Sequence, residues 1–495
     1  MKTTATKPPG GTIRDWLNWR AENGGTAIIF PETGFHLKWG SLRKGAIEFA
    51  SLLASLGVKK SESVAIMAPN GLESVTAFFG AAYGGYRATM INLAAGRDAI
   101  SYALEHSEAR FCHVHADCLE PFSEANDSGV KALPPEGVDT GVVPEIPSPE
   151  DHALLMYTSG TTGRPKGVVH THQSLLAGGW TSAMAHDLST NDRGLCVLPI
   201  YHINGLCVTL MGSLVSGGSL IMPARFSASR FWNQSCKYKA TWFSAVPTII
   251  SHLLHGDAAP DEMCRKRFRF GRSASSALAL ETQNAFERRF SIPIVETMGL
   301  TETAAQILSN PLPPGRRKMG SPGRAFGCEV EIQDDDGGRV LRDREGEIAV
   351  RGPNVMLEYL KDPGATVKAF RNGWFRTGDL ARMDGDGYVF VTGRLKELII
   401  KGGENIAPRE IDEVLYSHPD VIEAAAFARK CPRYGETVEA AVRVRPDSKV
   451  GPAELSELCA KRLGSFKTPD KIHFFSELPK GPSGKIQRLK LADML

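Results

Sequence analysis

The chain has 495 residues and a mass of 53.7 kDa, enough for roughly three domain-sized units or for one large unit and one small unit. Hydrophobic residues make up 42% and charged residues 23%, which is typical of a globular protein and excludes disordered and collagen-like chains. The net charge of +3 is too small for a protein that binds nucleic acid or a membrane surface. The excess lies in residues 394–495, which hold 18 basic and 15 acidic side chains.

The nine cysteines form no CxxC pair and no zinc-like cluster, and such an odd, scattered set is typical of reduced thiols in a cytoplasmic protein. Residues 1–10 contain no apolar run of the kind that a secretory signal requires. The longest apolar stretch, residues 206–222, is interrupted by glycines and serines and predicts a buried helix followed by a strand. We therefore expect a cytoplasmic protein without membrane contact, either a monomer or a homodimer.

Strand-like and helix-like segments alternate through most of the chain. The strand-like residues 63–67 precede a helix-like segment at 72–83, and the strand-like residues 240–244 precede another at 248–255. A third strand-like run, 218–222, ends a helical stretch. This alternation predicts α/β layers with mainly parallel sheets.

The pattern changes at Gly327, where short strands separated by Asp/Gly turns predict an antiparallel β subdomain. A final unit of about a hundred residues begins near Gly393, within the usual size of a domain. It has helix-like segments at 408–417 and 452–463 and strand-like segments at 423–428, 438–444 and 471–475. The predicted fold is α/β, with a large N-terminal domain (1–393) of layered α/β subdomains plus a β subdomain, and a small α+β C-terminal domain (394–495).

Residues 157–167 are rich in glycine, serine and threonine and follow a strand-like run. Glycines allow several backbone N–H groups to point toward one site, the hydroxyls add donors, and Lys166 adds positive charge. Together they predict a cradle for a polyphosphate, although the Walker spacing is absent. Taken alone, the composition also fits a flexible surface loop.

Five segments resemble, in the same order, the signatures of the adenylate-forming superfamily of acyl-CoA synthetases, luciferase-like enzymes and peptide-synthetase adenylation domains. They are residues 157–167, 299–302, 374–379, 393–405 and 479–485. The resemblance implies that a carboxylate attacks the α-phosphate of ATP to give acyl-AMP and pyrophosphate, and that the thiol of coenzyme A then displaces AMP. It implies ATP, Mg²⁺ and coenzyme A as cofactors, and a C-terminal domain that moves between the two steps.

The resemblance also implies a role for individual residues. Lys485 would reach the carboxylate and the α-phosphate, Glu302 would hold Mg²⁺, and His202 would gate the acyl pocket. The implied nucleotide-binding residues are Thr158, Ser159, Gly160, Thr161, Thr162, Gly163, Lys166, Ser275, Ala277, Thr297, Met298, Gly299, Thr301, Asp379 and Arg394. The implied hinge is Lys396, and the implied coenzyme A contacts are Lys401, Gly402, Gly403 and Glu404. The implied acyl-pocket residues are His202, Trp242, Val246, Ser275, Ser276 and Ala305.

Each of the main residues also has a purely structural interpretation. Lys485 fits an exposed lysine, Glu302 fits an acid at a helix N-terminus, and His202 fits a core histidine. Asp379 and Arg394 fit a turn residue and a surface ion pair.

Residues 272–278, 309–315 and 484–488 look closest to the oxalyl-CoA synthetase branch. The hydroxyls of Ser275 and Ser276 favour a short polar or anionic acid, because a long alkyl tail would leave each unpaired at a cost of about 1–3 kcal/mol. Ala305 stands where that branch has a histidine for the distal carboxylate, and Met298 stands where many relatives have an adenine-stacking tyrosine. The first departure puts oxalate in question and leaves a substituted or sulfonated acetate open.

The function expected from the sequence is an ATP-dependent acyl-CoA ligase for a small carboxylic acid. One alternative is an adenylating enzyme that passes acyl-AMP to a carrier protein or to an oxidative step. A second alternative is a relative that binds nucleotide without turnover.

Overall fold

The computed structural model describes residues 7–134, 140–158, 165–481 and 485–495. The strands up to residue 134 are β1 (Thr26–Phe30), β2 (Phe35–Lys38), β3 (Ser63–Met67), β4 (Arg87–Met90), β5 (Phe111–Val114) and β6 (Lys131–Ala132). The helices of this part are α1 (Ile13–Asn23), α2 (Trp39–Ser55), α3 (Leu72–Tyr83), α4 (Arg97–His106) and α5 (Leu119–Ala125).

The next part of the chain supplies most of the second large sheet. Its strands are β7 (His152–Thr158), β8 (Lys166–Thr171), β9 (Arg193–Cys196), β10 (Ser219–Ile221), β11 (Trp242–Ala245), β12 (Phe270–Ser273), β13 (Ile294–Leu300), β14 (Ala305–Ser309) and β15 (Arg324–Ala325). Its α-helices are α6 (His172–Ala185), α7 (Gly212–Ser216), α8 (Ala228–Lys237), α9 (Pro247–His255), α10 (Glu262–Arg267) and α11 (Leu280–Phe290), and a π-helical segment, Asn204–Met211, leads into α7.

The remaining elements form two smaller units. The first contains β16 (Glu329–Gln333), β17 (Gly346–Arg351), β18 (Glu358–Tyr359), β19 (Phe370–Arg371), β20 (Trp374–Met383), β21 (Val389–Arg394) and α12 (Pro363–Ala369). The second contains β22 (Ile399–Lys401), β23 (Glu404–Ile406), β24 (Val421–Cys431), β25 (Gly435–Val444), β26 (Lys471–Phe474), α13 (Pro408–Tyr416) and α14 (Pro452–Leu463).

The described strands pair into four sheets. The largest has the order β15-β14-β13-β12-β11-β9-β10-β1-β2, and the next has the order β18-β8-β7-β4-β3-β5-β6. In one of these sheets β3, β4 and β7 pair in parallel, and in the other β1, β10, β9, β11, β12 and β13 do so. The strand β3 is buried along its whole length. Such continuous apolar strands occur where helices cover both faces of a parallel sheet. The predicted α/β fold class, with a large N-terminal and a smaller C-terminal domain, is confirmed.

The core of the N-terminal domain lies between helices and both large sheets. It includes Trp16 of α1, Phe78 of α3, Leu206 of the π-helical segment and Trp242 of β11, all of which are 2% exposed or less. Burial of this apolar surface is the main force that holds the layers together. The rigid layers fix the ends of the parallel strands, where the candidate site lies.

The β subdomain and the C-terminal domain are antiparallel in their central strands. The first sheet has the order β16-β17-β20-β19 with β21 on β20, and the second has the order β23-β22-β25-β24 with β26 on β25. The strand β21 ends at Arg394, and the C-terminal sheet begins at Ile399. The boundary after residue 393 stays a prediction, because it falls one residue before β21 ends.

One expectation about the cysteines is wrong. Cys236, at the end of α8, and Cys264, in α10, form a disulfide, whereas the other seven cysteines are free. The two residues are 28 positions apart, and only the packing of α8 and α10 brings them together. Among the described helices, none combines the length and the hydropathy that a membrane span requires.

Candidate active site

A cavity of about 240 Å³ lies between the N-terminal and C-terminal domains. Residues 275–279, after β12, and residues 296–300, at the end of β13, form one wall. Arg409 and Tyr416 of α13 and Lys485 form part of the opposite wall. Ligands of open α/β sheets bind beyond the carboxyl ends of the strands, and this cavity has that position.

The amino group of Lys485 reaches the cavity from the C-terminal domain and lies 3.6 Å from Glu397 Oε1. Burial lowers the pKa of Lys485, and the charge of Arg394 lowers this pKa further. Glu397 and Asp379 oppose that shift. Burial also acts to raise the pKa of Glu397, but Lys485, Arg488 and Arg394 outweigh it, so the net shift is downward. An ionised carboxylate thus holds the lysine at the cavity.

Asp379 and Arg394 face each other across β20 and β21 and both line the cavity. Arg394 Nε donates to Asp379 Oδ1 at 2.6 Å, and Nη2 is 3.4 Å from Oδ2. The carboxylate of Asp379 raises the pKa of the Arg394 guanidinium, so the guanidinium stays charged. An aspartate held in this way keeps acceptor capacity for the hydroxyl groups of a ribose.

Glu302 is the centre of the predicted phosphate-binding end of the site. Tyr359 of β18 donates its hydroxyl to Glu302 Oε1 at 2.9 Å, because β18 pairs with β8 at the edge of its sheet. Lys166 of β8 lies over the ring of Tyr359, with Nζ 4.4 Å from the ring centre. Thr158 pairs with Lys166 at the base of the predicted cradle. The predicted residues Ser159, Gly160, Thr161, Thr162 and Gly163 lie outside the described residues.

Glu302 fits a role in holding Mg²⁺. In the described part of the chain, no group of three or more His, Cys, Asp or Glu side chains could hold a metal ion by itself. Mg²⁺ is usually bound through one or two carboxylates together with phosphate oxygens, and a carboxylate that accepts one hydroxyl retains further acceptor sites. When bound, the ion neutralises phosphate charge, while Tyr359 holds the carboxylate in position.

Five of the predicted nucleotide-binding residues lie along one side of the cavity. Ser275, Ala277, Thr297, Met298 and Gly299 all line it. The backbone carbonyl of Thr301 accepts a hydrogen bond from His170 Nε2 at 2.7 Å, which fixes the turn that leads to Glu302. A Cβ at Gly299 would lie 1.4 Å from the carbonyl oxygen of Ala305, so only glycine allows β13 and β14 to approach this closely.

The structure does not bring all predicted acyl-pocket residues to the cavity. Ser275 and Ser276 line it, whereas His202 and Ala305 do not. Val246 is buried directly after β11 and before α9, and it too lies outside the lining.

Trp242 also lies outside the lining of this cavity, and its assignment to the acyl pocket stays a prediction. This residue begins β11 and lies three positions, or roughly 10 Å of strand, before Ala245 at the carboxyl end. Its ring stacks on Phe270 with 5.7 Å between the ring centres, in the core of the N-terminal domain.

The predicted hinge and the predicted coenzyme A contacts lie away from the cavity. Lys396 is exposed in a short 3₁₀ helix, Leu395–Glu397, between β21 and β22. Gly402 and Gly403 form the turn between β22 and β23, both with positive φ, and Glu404 is exposed. Lys401 is buried, and its Nζ donates to the carbonyl of Phe466 at 3.0 Å. In this arrangement Lys485, and not the glycine turn, faces the cavity.

Sequence reasoning missed three side chains that organise the site. Tyr359 positions Glu302, Glu397 faces Lys485, and Arg488 bridges Glu397 and Asp412. Glu397 and Arg488 lie within segments 393–405 and 484–488, which the sequence resemblance singled out, so the charge of these two side chains was the available signal. Tyr359 carries no such signal, because its contact depends on β18 joining a distant sheet.

The fold and the site define an adenylating enzyme with a nucleotide cavity between a large and a small domain. The chain belongs to the AMP-binding enzyme family: the family model matches residues 17–360, and the model of the AMP-binding enzyme C-terminal domain matches residues 410–485.

Similar proteins agree with this assignment. The chain is 43% identical to a sulfoacetate–CoA ligase of Cupriavidus necator over 479 residues, 94% of each chain. It is 35% identical to an oxalate–CoA ligase of Arabidopsis thaliana, over 88% of this chain and 89% of the relative. It superimposes with a TM-score of 0.85 and 30% identity on the o-succinylbenzoate coenzyme A synthetase of Bacillus subtilis in complex with ATP and a magnesium ion, covering 96% and 98% of the two chains. The protein is an AMP-forming acyl-CoA ligase near the oxalyl-CoA ligase branch, and it uses ATP, Mg²⁺ and coenzyme A.

Proposed function

We propose that the enzyme activates a short carboxylic acid with a second acidic group, with sulfoacetate as the leading candidate. The observation that carries the proposal is the cavity that places Ser275 and Ser276 in the same space as Lys485 and Asp379. Small hydroxyl-bearing walls suit a short polar acid. The 43% identity to a sulfoacetate–CoA ligase supports the same choice, and Ala305 in place of the expected histidine argues against oxalate.

In the first step, a carboxylate oxygen of the acid attacks the α-phosphorus of ATP, and the bond to the pyrophosphate oxygen breaks. Lys485 stabilises the negative charge that develops there, as its position at the cavity allows. Asp379 accepts hydrogen bonds from the ribose, which orients the α-phosphate toward the acid. At the other end Glu302, held in position by Tyr359, would bind Mg²⁺, which would supply positive charge to the phosphates.

In the second step, the sulfur of coenzyme A attacks the acyl carbonyl, and AMP leaves with the bonding electron pair. The glycine turn at 402–403 does not reach the cavity in this structure, so the C-terminal domain must reorient to bring it there. We assign that reorientation to the segment around Lys396, which is exposed and connects the two sheets.

The proposal is tested by CoA-dependent AMP formation with oxalate, malonate, glycolate, sulfoacetate, acetate and benzoate. We expect the highest kcat/KM for sulfoacetate. A higher value for acetate or benzoate would contradict the substrate assignment, while acid-dependent AMP formation that needs no coenzyme A would indicate another acceptor.

A further inference from the structure

The most unusual charged group in the N-terminal domain is Arg272 of β12. It is 1% exposed. Its Nη1 donates to Asn204 Oδ1 at 2.9 Å and to Ser244 Oγ at 3.2 Å, while Nε and Nη2 each lie 3.3 Å from Gln306 Oε1. Every acceptor is a neutral side chain. A positive charge is therefore buried with hydrogen bonds to neutral groups.

No described carboxylate lies within salt-bridge distance of this guanidinium. The titratable side chain that acts on the pKa of Arg272 is Cys207, and burial raises the pKa of that thiol, so it carries no charge at neutral pH. Burial lowers the pKa of Arg272 to about 9, which still leaves the group protonated at neutral pH. Burying an unpaired charge destabilises a fold by several kcal/mol, so such a group is rare where it serves packing alone.

Another buried arginine shows how this chain compensates such a charge when no ligand is involved. Arg20 of α1 donates to the carbonyls of Leu214 and Val215 at the end of α7, and its guanidinium lies 4.3 Å from the ring centre of Trp19. The carboxyl end of a helix and the face of an aromatic ring both stabilise a cation. Among the residues that the structure describes, Arg272 has neither of these partners.

The Arg272 cluster, consisting of Asn204, Ser244, Arg272 and Gln306, lies directly behind the cavity. Asn204 donates through Nδ2 to Ser275 Oγ at 3.3 Å while its Oδ1 accepts from Arg272. Ser275 is exposed and lines the cavity, with a positive φ of 75° that turns the chain there. One asparagine thus separates the buried charge from the space that holds the acid.

Two neighbouring residues of β14, Ala305 and Gln306, show why the charge of Arg272 matters for the acyl site. Ala305 immediately precedes Gln306 and presents only a methyl group, whereas Gln306 Nε2 donates to the carbonyl of Thr181 and so turns its Oε1 toward Arg272. The strand β14 therefore supplies no cation at the end of the acyl site. The positive charge is on β12, which β13 separates from β14 in the same sheet.

We propose that Arg272 binds the second anionic group, a sulfonate or a carboxylate, of the short acid that enters past Ser275. The proposal rests on the proposed function and names its specificity-determining residue. The guanidinium offers two parallel N–H groups that match two oxygens of a carboxylate or sulfonate. The anion displaces one neutral acceptor, and Asn204 rotates to let it pass. Acids with a short apolar tail lack this interaction.

The first test measures selectivity, as the ratio of kcat/KM for sulfoacetate to kcat/KM for propionate, in Arg272→Gln. We expect the ratio to fall on the order of 100-fold, mainly through KM for sulfoacetate, because one partner of a buried charge pair is lost. Arg20→Gln is the matched control: it also removes a buried arginine, and it should lower the Tm without changing the ratio. A folded Arg272→Gln enzyme with the wild-type ratio would overturn the proposal.

A second variant remains informative if Arg272→Gln does not fold. Asn204→Asp places a carboxylate 2.9 Å from the guanidinium and so provides an internal competitor for the anion. We expect a higher Tm, a KM for sulfoacetate raised by about 10-fold or more, and a loss of the Tm increase that sulfoacetate gives the wild type in the presence of α,β-methylene ATP. If Arg272 serves only the fold, the Tm rises but the selectivity stays.

Different results would contradict the proposed function and the proposed role of Arg272. If no acid of the panel supports AMP formation, the proposed function is wrong. If the wild type forms the thioester of propionate as efficiently as that of sulfoacetate, the ligase stands and the role of Arg272 is wrong.

Discussion

At the scale of single residues, the site depends on how burial and neighbouring charges shift the pKa of Lys485. Burial and Arg394 lower the pKa of this lysine, while Glu397 raises it. Its amino group lies between the cavity and the carboxylate of Glu397, a residue near the boundary between the two domains. The balance leaves a cation where the anionic reactants of the first step meet.

Replacement of Lys485 by alanine should abolish adenylation and preserve the second step. The loss should be about 10² to 10³ in rate, since one preorganised donor is removed from the developing charge. Acid-dependent ATP–pyrophosphate exchange measures the first step, and conversion of synthetic acyl-AMP to acyl-CoA measures the second. The exposed Lys490 provides the control, Lys490→Ala, which should keep both rates. Equal loss of both steps in Lys485→Ala would contradict separate roles for the two conformations.

Glu397→Gln should shift the pH profile of adenylation. The step requires protonated Lys485, so its rate falls as pH rises through the pKa of that lysine, a value below the ordinary 10.5. Glu397 raises this pKa, so removing its charge should move the alkaline fall to lower pH. Pyrophosphate exchange from pH 6 to 10 measures the shift. An unchanged or upward-shifted fall would show that Glu397 does not stabilise the charged lysine.

At the scale of elements, the proposed coenzyme A step depends on one turn of the C-terminal domain. The turn between β22 and β23 contains Gly402 and Gly403 with φ of 60° and 88°. These values lie in the left-handed region that favours glycine. A Cβ at Gly403 would meet no atom within 4 Å, so the turn has open space around it in this conformation.

Gly403→Leu should therefore impair the coenzyme A step and leave pyrophosphate exchange intact. In the present conformation the leucine costs only the backbone strain, about 1 kcal/mol. In the reoriented conformation it obstructs the thiol arm. Gly373→Leu is the matched control, because Gly373 also has a positive φ and open space but lies in the turn before β20. Slower pyrophosphate exchange in Gly403→Leu than in this control would contradict the assignment of the turn to the coenzyme A step.

At the scale of the whole molecule, the cavity is closed by contact between the two domains. Arg409 of α13 donates to the carbonyl of Val391 in β21 at 2.6 Å. Behind this contact, Glu296 of β13 lines the cavity and is 3% exposed, and its Oε2 has no hydrogen-bond partner among the described residues. Burial raises the pKa of Glu296 to about 7, although Arg409 opposes the shift.

This raised pKa has a consequence for stability. Between the ordinary value of 4.5 and about 7 the folded protein binds more protons than the unfolded chain, so the free energy of unfolding falls as pH rises through this range. Glu296→Gln removes the effect. The variant should be more stable than the wild type at pH 8, by up to about 3 kcal/mol, and equal to it below pH 4.5. Thermal unfolding at a series of pH values measures the difference in stability between the variant and the wild type. A difference that does not change with pH would contradict the raised pKa of Glu296.

Much of the architecture could be predicted from local patterns. The helix at 72–83 has the predicted bounds, and α14 begins and ends at the predicted residues, because a proline at the first helical position and a regular apolar face are local signals. The adenylating class follows from motifs that also lie within short segments. The place of Trp242 at the start of β11 could not be predicted in this way, because the position of a residue along its strand depends on where the strand begins and ends.

What the sequence determined by itself is the class of enzyme, its cofactors and the order of its helices and strands, since each depends on residues close together in the chain. The tertiary structure alone decided which side chains complete the site. Tyr359 meets Glu302 across 57 positions, and Arg272 meets Asn204 across 68, because strand order brings distant segments together. No local pattern encodes such contacts. The net charge of the C-terminal domain likewise gained meaning only when Lys485 was placed at the cavity.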